Sequence, residues 1–265
     1  MTSAARLPTV RAMFEDLKGR VALVTGGATG IGGAISAAFG MAGMKIAVHY
    51  HGGADQAEHL AEEVRRSGGE ALLLQRDITE PTAADDLIRR TVEAFGRLDV
   101  LVNNAGGMVA RRPVETIDDE FFDAVMDLNV RQLVHACRAG AAAVKQGGGS
   151  IVNVSSISAR TGGSPGSSVY SGAKAFVATF TRSLARELAP QNIRVNALSP
   201  GTIATAFHER HSTPEKLEAT RKSIPLARLG TAQDCAGTAL FLASNAMSGY
   251  VTGQVIEVNG GQFMG

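Results

Sequence analysis

Short apolar runs rich in β-branched residues alternate along the chain with longer amphipathic stretches. Seven of the runs read as strands: Val21–Thr25, Lys45–Tyr50, Ala71–Arg76, Val100–Asn103, Ile151–Ser155, Arg194–Ser199 and Val255–Val258, each bounded by Gly, Asn, Asp or Pro. Helical spacing of apolar residues marks Asp55–Ser67, Pro81–Phe95 and Asp118–Val144 between them, the second with Thr79 as N-cap and Pro81 in its first turn. Apolar strands separated by helices are what βαβ crossovers leave when they build a parallel sheet covered on both faces. The pattern predicts an α/β fold with one doubly wound, seven-stranded parallel sheet. A single domain is expected over residues 18–265, after a short N-terminal extension of residues 1–17.

Composition narrows the function more than the fold. With 265 residues, 45% of them apolar, the chain can bury a substantial core. Its 26 basic and 25 acidic residues are interspersed and leave a net charge of +1, so no surface for nucleic acid is implied. Cys137 and Cys235 stand far apart and outside any CxxC pattern, which argues against a disulfide framework and against structural zinc. No apolar run reaches membrane-spanning length and the first 17 residues do not resemble a signal peptide, so a cytoplasmic protein with neither membrane nor nucleic-acid partners is expected.

Candidate chemistry begins where the first strand enters Gly26-Gly27-Ala28-Thr29-Gly30-Ile31-Gly32, followed by helical apolar spacing through Ala34, Ile35, Ala38 and Phe39. Glycines suit a tight turn whose backbone must approach a pyrophosphate, and the N–H groups at the following helix start hold an anion. Taken alone, such a turn can equally be structural. Further along, Tyr170 and Lys174 stand four residues apart in a helical pattern, one turn from each other. A free phenol has a pKa of about 10, and a neighbouring ammonium lowers it toward neutrality, where proton exchange is efficient. Lys174 is expected to act on Tyr170 in this way.

The spacing Thr25-Gly26-xxx-Gly30-Ile31-Gly32 resembles that of the short-chain dehydrogenase/reductase family, in its shorter-chained branch. Asp77, Asn103-Asn104-Ala105-Gly106, Asn129, Ser156, Tyr170-xxx-Lys174 and Pro200-Gly201 follow in the family's order, so the resemblance covers residues 18–262. It implies a Rossmann-like, NAD(P)(H)-dependent oxidoreductase that interconverts a secondary alcohol and a ketone, such as a 3-oxoacyl reductase or a sugar or cyclic alcohol dehydrogenase. Tyr170 would then exchange the proton, Ser156 would steady the substrate oxygen, Lys174 would also bind the nicotinamide ribose, and Asn129 would order water toward the lysine.

The resemblance also distributes cofactor contacts. Gly26, Thr29, Gly30, Ile31 and Gly32 would meet the pyrophosphate side, Asp77 and Ile78 the adenine, and Asn104, Ala105 and Gly106 the adenosine and ribose. Pro200, Gly201, Ile203 and Thr205 would lie toward the carboxamide. An acid at the end of the second strand would favour NAD(H). The chain instead has His49-Tyr50-His51-Gly52-Gly53, with Tyr50 and His51 as candidate contacts. This leans toward NADP(H), with NAD(H) left open.

No metal is expected, although His208 and His211 have a spacing that could share one. Residues 202–224 read as a lid over the substrate. Met108, Val109, Arg111, Arg112, Phe207 and His208 read either as substrate contacts or as loop surface. Met41 and Met44 read as core filler, and the apolar helices around Phe121–Val144 and Val169–Leu188 suggest subunit contacts. The family resemblance implies a homotetramer. Two other functions compete with the enzyme: a nucleotide-sensing binding protein with little turnover, and a sugar-nucleotide epimerase, which the glycine spacing disfavours.

Overall fold

The computed structural model describes residues 14–144, 148–205 and 212–265. Seven parallel strands form one sheet in the order β3-β2-β1-β4-β5-β6-β7. They are β1 (Val21–Val24), β2 (Lys45–Tyr50), β3 (Glu70–Gln75), β4 (Val100–Asn103), β5 (Gly149–Val154), β6 (Ile193–Pro200) and β7 (Val255–Val258). In β1, β4, β5 and β6 every residue is buried, as a sheet covered on both faces requires.

One layer is built on α1 (Gly30–Met41) and α2 (Ala54–Arg66), which pack Ile35, Phe39, Leu60 and Val64 on one face of the sheet. The opposite layer holds α3 (Ala83–Phe95), α4 (Asp119–Met126), α5 (Gln132–Ala143), the short α6 (Ser158–Thr161) and the long α7 (Ser168–Leu188). Leu87, Ile88, Leu133, Val177 and Leu188 fill that second core. Beyond β6 come α8 (Pro214–Ser223), α9 (Ala232–Ala243) and α10 (Asn245–Ser248), and α9 returns to the first layer beside α1 with Cys235 and Leu242. Strand order reverses between β1 and β4, and the crevice outside their carboxyl ends is where ligands of such sheets bind.

Four expectations change here. The helix after β3 starts at Ala83 with Thr82 in the cap position; Pro81 precedes it, and Thr79 instead donates its N–H and hydroxyl to Asp77 Oδ1 in a local turn. The stretch 118–144 is two α-helices joined by a π-turn, Asp127–Arg131. In that turn the Asn129 side chain donates to Val125 O (2.9 Å) and that of Gln132 to Leu128 O (3.1 Å), so side chains share carbonyls that a regular helix reserves for backbone. Of the N-terminal stretch, the described part belongs to the domain. Leu17 is fully buried, and the Asp16 carboxylate accepts from the Ser244 hydroxyl and the Asn245 and Ala246 N–H groups, capping α10. Met44 is core, whereas Met41 is 68% exposed.

Candidate active site

Three backbone segments meet at the carboxyl end of β1. Gly26 (φ +59°) and Gly30 (φ +56°) adopt left-handed conformations open to glycine at little cost. Thr29 stands at the N-cap of α1 without a side-chain bond, and the first turn carries no acidic residue, so its N–H groups and dipole are available to an anion. Asn104 clasps the turn from β4: its Nδ2 donates to Thr25 O and Gly26 O (2.9 and 3.0 Å). The Thr25 hydroxyl in return accepts from the N–H groups of Asn104 and Ala105, both at 3.0 Å. Gly32 stands outside the cavity lining, where a Cβ would collide with Gly26 O; its lack of a side chain serves this close approach of helix to turn.

His49 completes the loop's support. It is 2% exposed, with Nδ1 accepting the Gly26 N–H (3.0 Å) and Nε2 lying 3.1 Å from Arg76 O. Both bonds are satisfied together only by the neutral tautomer with its proton on Nε2. Burial lowers its pKa against the opposing effect of the Arg76 carbonyl, which keeps it neutral. Nothing in the dispersed sequence positions of the six histidines marks this one, although its place at a strand end beside the glycine turn is a usable signal.

A chain of buried amides fixes α7 on the sheet. Asn103 donates to Asn153 Oδ1 and Asn153 donates to the Thr181 hydroxyl, both at 2.9 Å. Two turns nearer the crevice along α7, Ser155 donates to Lys174 O and Lys174 Nζ to Val154 O, again at 2.9 Å. Ser155 is thereby committed to structure. Ser156 is left facing the cavity beside Tyr170, where its hydroxyl accepts the Ser158 N–H (3.2 Å).

Lys174 Nζ lies 5.8 Å from the centre of the Tyr170 ring. The expected lowering of the phenol is absent. Burial raises Tyr170 to about 12, against the lowering effect of Ser156, and burial alone brings Lys174 down to about 8. In this closed pocket desolvation outweighs the ammonium's attraction. Asn129 is 1% exposed and grips Gly107 from both sides, donating to its carbonyl (2.7 Å) and accepting its N–H (3.1 Å). A Cβ on the adjacent Gly106 would stand 2.9 Å from Asn129 Oδ1 and 3.0 Å from Lys174 Nζ, so glycine lets these two groups approach.

These residues line one continuous cavity of about 990 Å³. It runs from Gly26, Thr29, Gly30 and Ile31 past His51, Asp77 and Ile78 to Asn104, Ala105 and Gly106. It then reaches Ser156, Tyr170 and Lys174 and ends at Pro200, Gly201, Ile203 and Thr205. Its lining residues, the turn geometry and the unopposed helix start fit a dinucleotide. Tyr50 does not face it: His49 and His51 point to the cavity, while the intervening Tyr50 packs on the core, as strand alternation dictates.

At the far end Met108, Val109 and Arg111 line the cavity, but Arg112 pairs with Asp118 (2.7 Å) and covers the Phe121 ring. Val109 holds φ +60°, a strained value for a β-branched residue. From α8, Lys216, Leu217 and Thr220 close this end. Phe207, His208 and His211 lie outside the described residues. Among the described residues no group of three or more His, Cys, Asp or Glu comes together, and no helix is long and apolar enough to cross a membrane.

A crevice at the sheet's switch point, with a serine, tyrosine and lysine at its inner end, defines a dinucleotide-dependent oxidoreductase of the α/β class. A family model described as Enoyl-(Acyl carrier protein) reductase matches residues 26–262. The chain is 38% identical to a 3-oxoacyl-[acyl-carrier-protein] reductase of Synechocystis sp., over 94% of this chain and 98% of that one. Among solved structures, a dehydrogenase/reductase from Sinorhizobium meliloti superposes with a TM-score of 0.89 at 34% identity, covering 96% of this chain and all of the other. An NADH-dependent reductase A1-R′ complexed with NAD gives a TM-score of 0.86 with the same identity and coverage. The chain belongs to the short-chain dehydrogenase/reductase family. It is an NAD(P)-dependent oxidoreductase acting on the alcohol/ketone couple.

Proposed function

We propose that this enzyme reduces a 3-oxo group, with NADP(H) as the preferred cofactor, and that Tyr170 supplies the proton. The convergence of Ser156, Tyr170 and Lys174 on the inner end of the cavity that begins at the glycine turn carries this reading. When bound, the cofactor supplies the hydride. Tyr170, protonated because burial raises it to about 12, donates to the substrate oxygen as charge develops there. Ser156 steadies the same oxygen, and Asn129 positions the Gly106-Gly107 segment against Lys174. Lys174 Nζ, held by Val154 O and 5.8 Å from the centre of the Tyr170 ring, would bind the nicotinamide ribose.

The 3-oxoacyl assignment is supported by the names of several relatives at 36–38% identity. NADP(H) is supported by the absence of a carboxylate at the end of β2, where His51 is exposed. The described residues on either side of 206–211, among them Thr205, Leu217 and Thr220, serve as the cover of the substrate end. Phe122 and Phe176, 46% and 40% exposed on α4 and α7, support a homotetramer, and two buried free thiols suit a reducing cytoplasm. The test is a panel of short 3-oxo thioesters and esters, sugars and cyclic alcohols followed by NADPH or NADH absorbance. Turnover of 3-oxo substrates with higher kcat/KM for NADPH is expected; turnover confined to other classes, or a strong NADH bias, overturns the corresponding part.

A further inference from the structure

The loop after β7 reaches the cavity at Gln262. It follows Gly260 and Gly261, whose φ values of +64° and +87° turn the chain back against the end of β6. There Gln262 lines the cavity next to Pro200, Gly201 and Thr202. Its side-chain oxygen accepts two bonds from one residue 60 positions earlier, the Thr202 N–H (3.1 Å) and the Thr202 hydroxyl (3.3 Å). A backbone N–H can only donate, so the oxygen of the amide, not its nitrogen, must face it. Gly201 permits the contact, because a Cβ there would stand 2.7 Å from Asn259 Cβ and 3.0 Å from Gln262 Oε1.

Thr202 opens the segment 202–205, whose Ile203 and Thr205 are the residues expected at the nicotinamide carboxamide. Its backbone is held at both polar groups. Gln262 takes the N–H, while the carbonyl accepts the Gly230 N–H (3.0 Å) and the Gly230 carbonyl in turn accepts the Ala204 N–H (2.8 Å). Gly230 thus fixes one edge of the segment and Gln262 the other. The loop that carries Gln262 is itself braced: Asn259 Nδ2 donates to Phe263 O (3.0 Å), and Asn259 Oδ1 accepts the Gly261 N–H (2.9 Å). The Phe263 ring lies 5.0 Å from the guanidinium of Arg160, which belongs to α6 between Ser156 and Tyr170. One loop therefore ties the wall that carries the catalytic hydroxyls to the wall that meets the carboxamide.

We propose that Gln262 is a positioning residue for hydride transfer: its side-chain oxygen fixes the segment 202–205 in the place that receives the nicotinamide ring. The inference rests on the oxidoreductase reading of the cavity and adds what shapes its nicotinamide end. Transfer depends steeply on the placement of the reacting groups, so a segment released at one edge weakens both the hold on the nicotinamide half and turnover. The adenosine half meets the glycine turn and Asp77 at the opposite end, which this change does not touch.

Calorimetry tests it on the whole protein. NADPH is compared with 2′-phospho-ADP-ribose, and NADH with ADP-ribose; the fragment's dissociation constant divided by the dinucleotide's reads the nicotinamide half alone. Gln262→Met keeps the length and removes the acceptor. For the tighter-binding cofactor its ratio is expected to fall about five- to tenfold, with the fragment's affinity within about twofold of the parent. Gln262→Glu keeps an acceptor for both Thr202 donors, and its ratio should stay within about twofold of the parent. The kcat with a ketone that the parent reduces follows the same order. A merely structural role lowers Tm and leaves the ratio where it is. A ratio within twofold of the parent in Gln262→Met, or as low in Gln262→Glu as in Gln262→Met, overturns the proposal. Should Gln262→Met not fold, Thr202→Val reads the hydroxyl's share of the same contact: a ratio about two- to fourfold lower supports the proposal, and an unchanged one overturns it. A parent protein that binds neither dinucleotide overturns the oxidoreductase reading and the proposal together, whereas the variants' ratios bear on the proposal alone.

Discussion

Replacing His49 with leucine removes the acceptor of the Gly26 N–H and the donor to Arg76 O without opening a large hole. Each polar group stranded in a buried site costs about 1–3 kcal/mol, so the folded protein loses roughly 2–4 kcal/mol once the apolar replacement's own burial is counted. The Gly26 turn is then no longer held in its left-handed conformation before the dinucleotide arrives. Reordering one or two residues on binding costs about 1–2 kcal/mol, which weakens cofactor affinity about five- to thirtyfold. His49→Asn retains an acceptor close to the position of Nδ1 and should recover most of that loss. The chain has no tryptophan, so the nicotinamide's own fluorescence reports the titration cleanly. At saturating cofactor kcat should stay within about threefold, because nothing at Tyr170 has changed. Unaltered cofactor affinity in His49→Leu, or equal loss in His49→Asn, would mean that the His49 acceptor does not hold the Gly26 turn. Acid acts on the same bond: the folded-state pKa of His49 lies below the ordinary 6.5, so its contribution is intact above pH 6.5 and stability declines as pH falls below it.

Gly106→Ala places a methyl group against Asn129 Oδ1 and Lys174 Nζ; kcat should fall at least about tenfold with a loss of about 1–2 kcal/mol in denaturant titrations, and full activity would contradict the packing. Lys174→Met abolishes most turnover yet should stabilise the cofactor-free protein. Holding the lysine at about 8 instead of 10.5 costs about 3 kcal/mol at neutral pH, and losing the bond to Val154 O returns about 1 kcal/mol of that, leaving a rise in Tm of about 4–8 °C. Because the folded-state pKa is the lower one, the gain is full below pH 8 and shrinks as pH rises toward 10.5. Calorimetry across that range checks both size and sign.

The sheet was legible because its strands carry short runs rich in apolar, β-branched residues: β2, β4 and β7 begin and end where the pattern places them. The glycine turn and the Tyr170-Lys174 pair were legible as spacings along one element. What periodicity could not register is long-range bonding. The stretch 118–144 has continuous helical spacing, yet Asn129 reaches across to Gly107, 22 residues away, and the backbone widens there. His49 and Tyr50 show the same limit, since only the strand's pairing reveals which side chain faces the crevice. The distinction between Ser155 and Ser156 depended on Lys174 O, 19 residues later. Asp16 capping α10 joins the two ends of the described chain, a contact no local pattern encodes.

Tyr170→Phe isolates the proton transfer, because it deletes one oxygen while leaving the glycine turn, Lys174 and the cavity in place. Turnover of a reducible ketone should fall about 10²–10⁴-fold, with the dissociation constant for NADPH or NADH within about twofold of the parent and Tm not lowered by more than a few degrees. Parent-level turnover in that variant, with cofactor bound, would contradict Tyr170 as the proton donor.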